Sequence, residues 1–254
     1  MINISTKNFR IDNVEAIIFD KDGTLTDSSF YWSEIIKRRS KKIQKDLFLS
    51  KKGYYELLKV MGLDIHTNKL LPEGPIAIKS RKEVIDVIID HLKKKDLKVN
   101  TDYLEELFKE VHRDFSKEAH KFILPIASAY SLIKLLKKEN IKLILLTSDT
   151  KFNADETIRI LNLNNHFDLV FGGDSGFGDK KSGESCKKIC QKLNLKNDTV
   201  ICIGDTPVDN EMAINGKLKA SILVESGQIG IEILSKFSRY CISDLSEITI
   251  ETNN

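Results

Sequence analysis

Three short apolar runs organise the hydrophobic pattern of the chain: VEAIIFD (Val14 to Asp20), IKLILLTSD (Ile141 to Asp149) and TVICIGD (Thr199 to Asp205). Each places Ile, Leu or Val on both alternating positions, as a strand covered on both faces requires, and each ends abruptly in polar residues. A weaker run, FDLVFGG (Phe167 to Gly173), lies between the second and third, and KASILVES (Lys219 to Ser226) follows the helix after Asp205. Between them lie segments with apolar residues at helical spacing, Ser128 to Asn140, Asn153 to Leu163 and Glu184 to Leu195. Strands alternating with helices predict an α/β fold, a doubly wound parallel sheet of Rossmann-like type. Such sheets bind ligands at the carboxyl ends of their strands, here the ends that carry Asp20, Thr147 and Asp205.

One region breaks the alternation. From Asp27 to Leu124 the apolar spacing is helical throughout, in Ser28 to Leu49, Tyr54 to Leu63, Ser80 to Lys95 and Thr101 to Ala119. Ser80, with Glu83 three residues on, and Thr101 are the expected N-caps. The stretch from Met61 to Arg81 holds Pro72, Gly74 and Pro75 and is expected to be loop rather than helix. The predicted organisation is a core domain from residues 1–26 and 125–254 with an α-helical domain, residues 27–124, inserted after the first strand.

Composition narrows the function classes. With 254 residues, 41% hydrophobic and 30% charged, the chain is long enough for one or two folded, soluble domains. The balance of 40 basic and 37 acidic residues, +3 overall, gives no reason to expect nucleic acid or membrane as a partner. The basic runs Lys37 to Lys45 and Lys93 to Lys98 read as solvated helix faces. The N-terminal MINISTKNFRIDN has no signal-peptide core, and no apolar run approaches the roughly 18 residues of a membrane span. Cys186 and Cys190 share a helix face without a second Cys or His pair to complete a zinc site, and Cys202 lies in an apolar run. Reduced thiols in a cytoplasm are expected.

Four motifs then fall on one edge of the predicted sheet: DKDGTL (Asp20 to Leu25), LLTSD (Leu145 to Asp149), GDKKSGE (Gly178 to Glu184) and GDTPVDNEMA (Gly204 to Ala213). Taken singly, each has a plain reading: Asp20 as a strand-end cap, or Asp22-Gly23 as a turn. In this order, on these strands, the chain resembles the haloacid-dehalogenase-like hydrolase superfamily in its phosphatase branch. The resemblance spans nearly the whole core, and the helical insert resembles the cap of phosphoglycolate-phosphatase-like members. It implies that Asp20 is the nucleophile, Asp22 the acid/base, Thr147 the phosphate-binding hydroxyl, and Asp205 and Asp209 metal-binding acids. The family usually reads Lys-Pro at its third motif. Here it is Lys180-Lys181; the usual interval falls on Lys180, with Lys181 as the alternative.

Chemistry supports this reading. A phosphate ester carries up to two negative charges, and Asp20 cannot attack it unless that charge is offset. Mg²⁺ held by Asp20, Asp205 and a backbone carbonyl near Asp22 supplies the offset, and Lys180 adds a second positive charge. Thr147 offers a hydroxyl and Ser148 a backbone N–H to phosphate oxygens, while Gly23 allows the sharp turn after the two acids. Asp20 is expected to form an aspartyl-phosphate and Asp22 to move the protons. A dehalogenase or a phosphonate-cleaving relative would lack the second acid. A sugar-phosphate mutase would keep it and is the enzymatic rival. A phospho-receiver signalling domain, the rival from another class, needs no helical insert over a substrate. The expected partner is a small phosphorylated metabolite; a monomer and a homodimer are equally compatible. Lys79 and Arg81, at the end of the Pro/Gly-rich loop, are candidate contacts for a second anionic group. The five histidines and the Tyr31-Trp32 pair are read as surface or packing residues.

Overall fold

The computed structural model describes residues 1–79, 81–176 and 178–252. The first part of the chain forms β1 (Ile2–Ser5), β2 (Arg10–Val14) and β3 (Ala16–Phe19), then the helices α1 (Ser28–Asp46), α2 (Lys51–Val60), α3 (Pro75–Ile78), α4 (Arg81–Lys93) and α5 (Thr101–Ser116). There follow α6 (Ala127–Lys138), β4 (Lys142–Leu146), α7 (Lys151–Ile160), β5 (Leu169–Phe171), α8 (Glu184–Leu193), β6 (Val200–Gly204) and α9 (Pro207–Asn215). The last elements are β7 (Ala220–Val224), α10 (Ile231–Leu234), β8 (Cys241–Ile242) and β9 (Thr249–Thr252). The chain divides into two compact units, Met1–Asp27 with Pro125–Asn254, and Ser28–Leu124.

The first unit is built on a six-stranded sheet in the order β5-β4-β3-β6-β7-β8, every neighbouring pair parallel. All four residues of β3 are fully buried, as expected of a central strand covered on both faces. On one face Ala16, Ile18, Ile144 and Cys202 pack with Cys186, Ile189 and Cys190 of α8 and with Met212 and Ala213 of α9. Each fully buried Ile of such a cluster contributes about 1.5–3 kcal/mol. The register sets the site. Phe19 pairs with Leu145 on one side and Ile203 on the other, so β3, β4 and β6 end together.

The N-terminus departs from expectation. Val14 does not begin the central strand; it ends β2, and Asn13 turns the backbone in the left-handed region (φ 56°) before β3 starts. β1 pairs antiparallel with β2 and with β9, making a separate three-stranded sheet. Ile2, Ile4, Ile11 and Val14 are its buried apolar residues. They are interleaved with polar ones and rely on a partner strand at the far end of the chain, so the local apolar signal is weak.

The helical unit packs Ile36 and Ile43 of α1, Leu57 and Leu58 of α2, Ile85, Ile88 and Leu92 of α4, and Leu104 and Phe108 of α5 into one core. Asn100, not Thr101, caps α5: its side chain accepts from the Tyr103 backbone N–H at 2.9 Å, and Thr101 is the first helical residue. An Asn side chain one residue earlier reaches the orphan amide as well as a Thr would. The expected cap at Ser80 lies outside the described residues. The Met61 to Arg81 stretch is not loop throughout, because Pro75 starts the one-turn helix α3, where its fixed φ and missing N–H are tolerated. Tyr31 packs edge-on against Phe115 with ring centroids 5.0 Å apart, inside this unit.

Arg39 is buried, its guanidinium 3.7 Å above the Phe108 ring, and its Nε has no hydrogen-bond partner among the described residues. Burial, with Arg81 nearby, pushes its pKa down. A cation–π contact contributes about 0.5–2 kcal/mol, whereas burying an unpaired charge costs several. Arg39→Met is therefore expected to raise the melting temperature by a few degrees in a thermal unfolding scan; a fall would show that the charge has a stabilising partner.

Candidate active site

Asp20 follows β3 directly. Its backbone N–H still donates to the Ile203 carbonyl at 2.9 Å, so the sheet ladder holds it to the end of β6. Asp205 is the residue after β6, and Asp209 lies in the first turn of α9. One carboxylate oxygen from each of Asp20, Asp205 and Asp209 lies within 4.8 Å of the others, and all three residues are buried. Lys180 Nζ donates to Asp20 Oδ1 at 2.5 Å. It also stands 2.6 Å from Asp209 Oδ1, an ion-pair contact without hydrogen-bond alignment. Asp209 Oδ2 accepts from the Thr206 backbone N–H at 3.1 Å and from Thr206 Oγ1 at 2.8 Å, which closes the N-terminus of α9.

Lys180 opens a short turn, Lys180–Ser182, whose N-cap Asp179 accepts from the Lys181 N–H at 3.0 Å and whose end at Gly183 takes a left-handed φ of 71°. The turn sends Lys180 inward, and Lys181 is exposed.

The electrostatics of the cluster are unbalanced. Burial pushes Asp20 up to about 6 against the pull of Lys180, with Asp209 and Asp22 adding to the rise. Burial pushes Asp205 well above the usual carboxylate range, and Asp20 and Asp209 push the same way. Three carboxylates face one ammonium, so when all are ionised two negative charges lack a counter-charge. Asp205 Oδ1 is buried without a hydrogen-bond partner among the described residues. An all-oxygen donor set with an orphaned carboxylate oxygen and two excess negative charges fits a hard divalent cation.

Glycine keeps the backbone out of this space. At Gly23, φ is +84°, and a Cβ there would lie 2.2 Å from Asp205 Oδ2. A Cβ at Gly227, in the loop after β7, would come within 1.8 Å of the same oxygen. Gly23→Ala is expected to cost at least about 1–2 kcal/mol from the left-handed backbone alone and to displace Asp205. Thermal unfolding, with a divalent-cation titration followed by the same scan, would measure both; wild-type stability with wild-type cation response would contradict it.

The remaining candidates are placed as follows. Asp22 does not join the three-acid cluster. Its carboxylate turns to Lys21, whose Nζ is 3.0 Å from both Oδ1 and Oδ2. Lys21 is itself buried and reaches Asp149 Oδ2 at 3.0 Å. Burial would lower the Lys21 pKa, but Asp22 and Asp149 outweigh it and raise it. Thr147 is buried at the end of β4, its N–H donating to the Phe171 carbonyl at 3.1 Å and its Oγ1 accepting from the Asp149 N–H at 3.1 Å. Accepting this bond uses a lone pair and leaves the Thr147 hydroxyl's own proton uncommitted by it. Ser148 is exposed beside it. Lys79 and Arg81 belong to the helical unit, where Lys79 is exposed and Arg81 Nη2 is 3.0 Å from Glu105 Oε2. Sequence reasoning missed Lys21, Asp149 and Gly227. Asp149 stood inside the quoted LLTSD motif, and a lysine between two acids was itself a signal.

Known proteins share this architecture. The chain is 26% identical over 201 residues to a phosphorylated carbohydrates phosphatase of Thermotoga maritima, covering 79% of this chain and 80% of that protein. It is 26% identical over 210 residues to a phosphoglycolate phosphatase of Aquifex aeolicus, covering 82% and 84%. A solved HAD-superfamily hydrolase of subfamily IA from Geobacter sulfurreducens has the same fold, with a TM-score of 0.63 at 15% identity over 96% of this chain and 97% of that one. A family model described as haloacid dehalogenase-like hydrolase matches residues 14–216, which take in β3, β4, β6 and every acid of the cluster, and on that match the chain belongs to the haloacid dehalogenase-like hydrolase family.

Proposed function

We propose that the protein is a Mg²⁺-dependent phosphatase that hydrolyses a small phosphate monoester through an aspartyl-phosphate on Asp20. The observation that carries this reading is the buried grouping of Asp20, Lys180, Asp205 and Asp209 at the carboxyl ends of β3 and β6. The phosphatase names of the relatives from Thermotoga maritima and Aquifex aeolicus point the same way.

Asp20 is the nucleophile: one carboxylate oxygen attacks phosphorus, and the P–O bond to the leaving alcohol breaks. Lys180, already against Asp20 Oδ1, lowers the repulsion between carboxylate and phosphoryl group. The Thr147 hydroxyl and the Ser148 N–H are the donors for the phosphate oxygens. Asp22 protonates the leaving alkoxide, then takes a proton from the water that cleaves the aspartyl-phosphate. Asp20, Asp205 and Asp209, with a backbone carbonyl near Asp22, would hold the cation, which when bound offsets charge on the transferring group. Asp209 also anchors Lys180 from behind.

The test is a panel of phosphate monoesters with and without Mg²⁺, scored for inorganic phosphate. Release of phosphate from at least one small ester, only with the cation, is expected. A phosphoryl group that moves within a sugar phosphate, with no phosphate released, would make the protein a mutase instead.

A further inference from the structure

We propose that Lys21 and Asp149 are positioning residues that hold Asp22 for proton transfer to the leaving group. The inference rests on the reading of Asp22 as the acid/base. It starts from a lysine that the chemistry above does not use. Lys21 is 3% exposed, between two aspartates whose side chains are 24% and 19% exposed. Its Nζ sits 3.0 Å from both oxygens of Asp22 and 3.0 Å from Asp149 Oδ2.

Asp149 is the fixed end of this chain of contacts. Its Oδ1 accepts from the Thr150 backbone N–H at 2.7 Å and from Asn153 Nδ2 at 2.8 Å, on the first turn of α7. Its backbone N–H donates to Thr147 Oγ1 at 3.1 Å, and its carbonyl accepts from the Gly173 N–H at 2.7 Å. Asp22 is the free end: Lys21 is its side-chain partner among the described residues. The Lys21 carbonyl also accepts the N–H groups of Leu25 and Thr26, at 2.9 and 3.1 Å, closing the turn that carries Asp22. The loop after β3 is thereby clamped to the loop after β4, and the proton-transferring carboxylate is tied to the loop that carries the phosphate-binding Thr147. The Asp22 carboxylate is itself partly exposed on an otherwise buried turn and without the lysine would sample several rotamers, and misplacement by about 1 Å costs on the order of a hundredfold in rate.

A merely neutralising lysine would act on every substrate alike. A positioning lysine acts through Asp22, and so matters most where the leaving group needs a proton. The experiment compares kcat/KM, which reports formation of the aspartyl-phosphate, on an alkyl phosphate and on p-nitrophenyl phosphate, whose phenolate leaves without protonation. Four full-length variants are measured with Mg²⁺: Asp22→Asn, Lys21→Met, Lys21→Arg and Asp149→Asn.

For Asp22→Asn the loss is expected to be about a hundredfold or more on the alkyl ester and less than about tenfold on the aryl ester. Lys21→Met and Asp149→Asn should show the same asymmetry at smaller size, and Lys21→Arg should recover part of it. Asp149→Asn keeps the volume and the neighbouring amide contacts, so it remains a folded test if Lys21→Met unfolds. Equal losses on the two esters in Asp149→Asn and Lys21→Met, beside asymmetry in Asp22→Asn, overturn the positioning role and leave the acid/base reading standing. Symmetry in Asp22→Asn as well overturns that reading itself.

Discussion

Asp20→Asn is expected to lower turnover by at least about four orders of magnitude and to leave the fold intact. An amide oxygen is a poor nucleophile, and no neighbouring acid can substitute. Asp209 is committed to Thr206 and Lys180, and Asp205 is wedged between Gly23 and Gly227. The stability effect has the opposite sign. Burial and the neighbouring carboxylates raise Asp20 from its ordinary 3.8 to about 6, so its ionised form is disfavoured in the native state. The neutral amide should melt no lower than wild type in metal-free buffer. An Asp20→Asn protein that turns over at more than a hundredth of the wild-type rate, after deamidated protein is excluded by mass spectrometry, would refute the nucleophile assignment.

Chelation is expected to abolish turnover, and Mg²⁺ to restore it. Ca²⁺ should restore little, because it takes more ligands at longer distance and holds a carboxylate in both of its oxygens. The same cation should be visible without catalysis. In metal-free protein the folded state binds the Asp20 proton more tightly than the unfolded chain does. The stability tied to that carboxyl is therefore full below its ordinary pKa of 3.8 and is lost as pH rises through about 6. The full swing is about 3 kcal/mol, and Asp205 moves in the same direction. A bound cation favours the ionised acids and reverses the loss. Saturating Mg²⁺, at about a hundred times its dissociation constant, adds about 2.7 kcal/mol, or roughly 5–10 °C of melting temperature. The rise should be present near pH 7.5 and absent near pH 4. A melting temperature insensitive to Mg²⁺ at both pH values would contradict the metal site.

The parts of the fold visible in the sequence are those whose signal is local. β3, β4 and β6 are buried on both faces, apart from the exposed Lys142 that opens β4, so their residues read as near-continuous apolar runs. Asp20 and Asp205 stand out because a charge directly after such a run must lie at the end of a strand. Parallel pairing then aligns those ends, which is why residues 185 positions apart share a focus (20 against 205). The N-terminal sheet was hidden because β1 finds β9 only through pairing across the whole chain, and its polar residues conceal the four buried aliphatics. The choice between Lys180 and Lys181 rests on one turn set by Asp179 and Gly183, and neighbouring identical residues carry no periodicity to separate them. The place of Lys21 between two acids was visible in the sequence, but its inward direction was hidden for a similar reason. Direction in a tight loop follows from hydrogen bonds such as Leu25 N–H to the Lys21 carbonyl, not from spacing. Arg81 looked available in the sequence, yet Glu105 occupies it.

The central claim is that the phosphoryl group passes through Asp20, and trapping it there is the most direct measurement. Asp22→Asn should accept a phosphoryl group from p-nitrophenyl phosphate, whose leaving group needs no acid, but should release it slowly because the base for water attack is missing. Mixing that variant with the ester and Mg²⁺, quenching in acid and mapping peptides by mass spectrometry should find one phosphoryl group per chain, on the peptide holding Asp20. Borohydride reduction should convert that residue to homoserine, the mark of an acyl phosphate. The account predicts label on Asp20 and none in the Asp20→Asn, Asp22→Asn double variant. Label on any other residue, or a p-nitrophenolate burst that persists in the double variant, would contradict it.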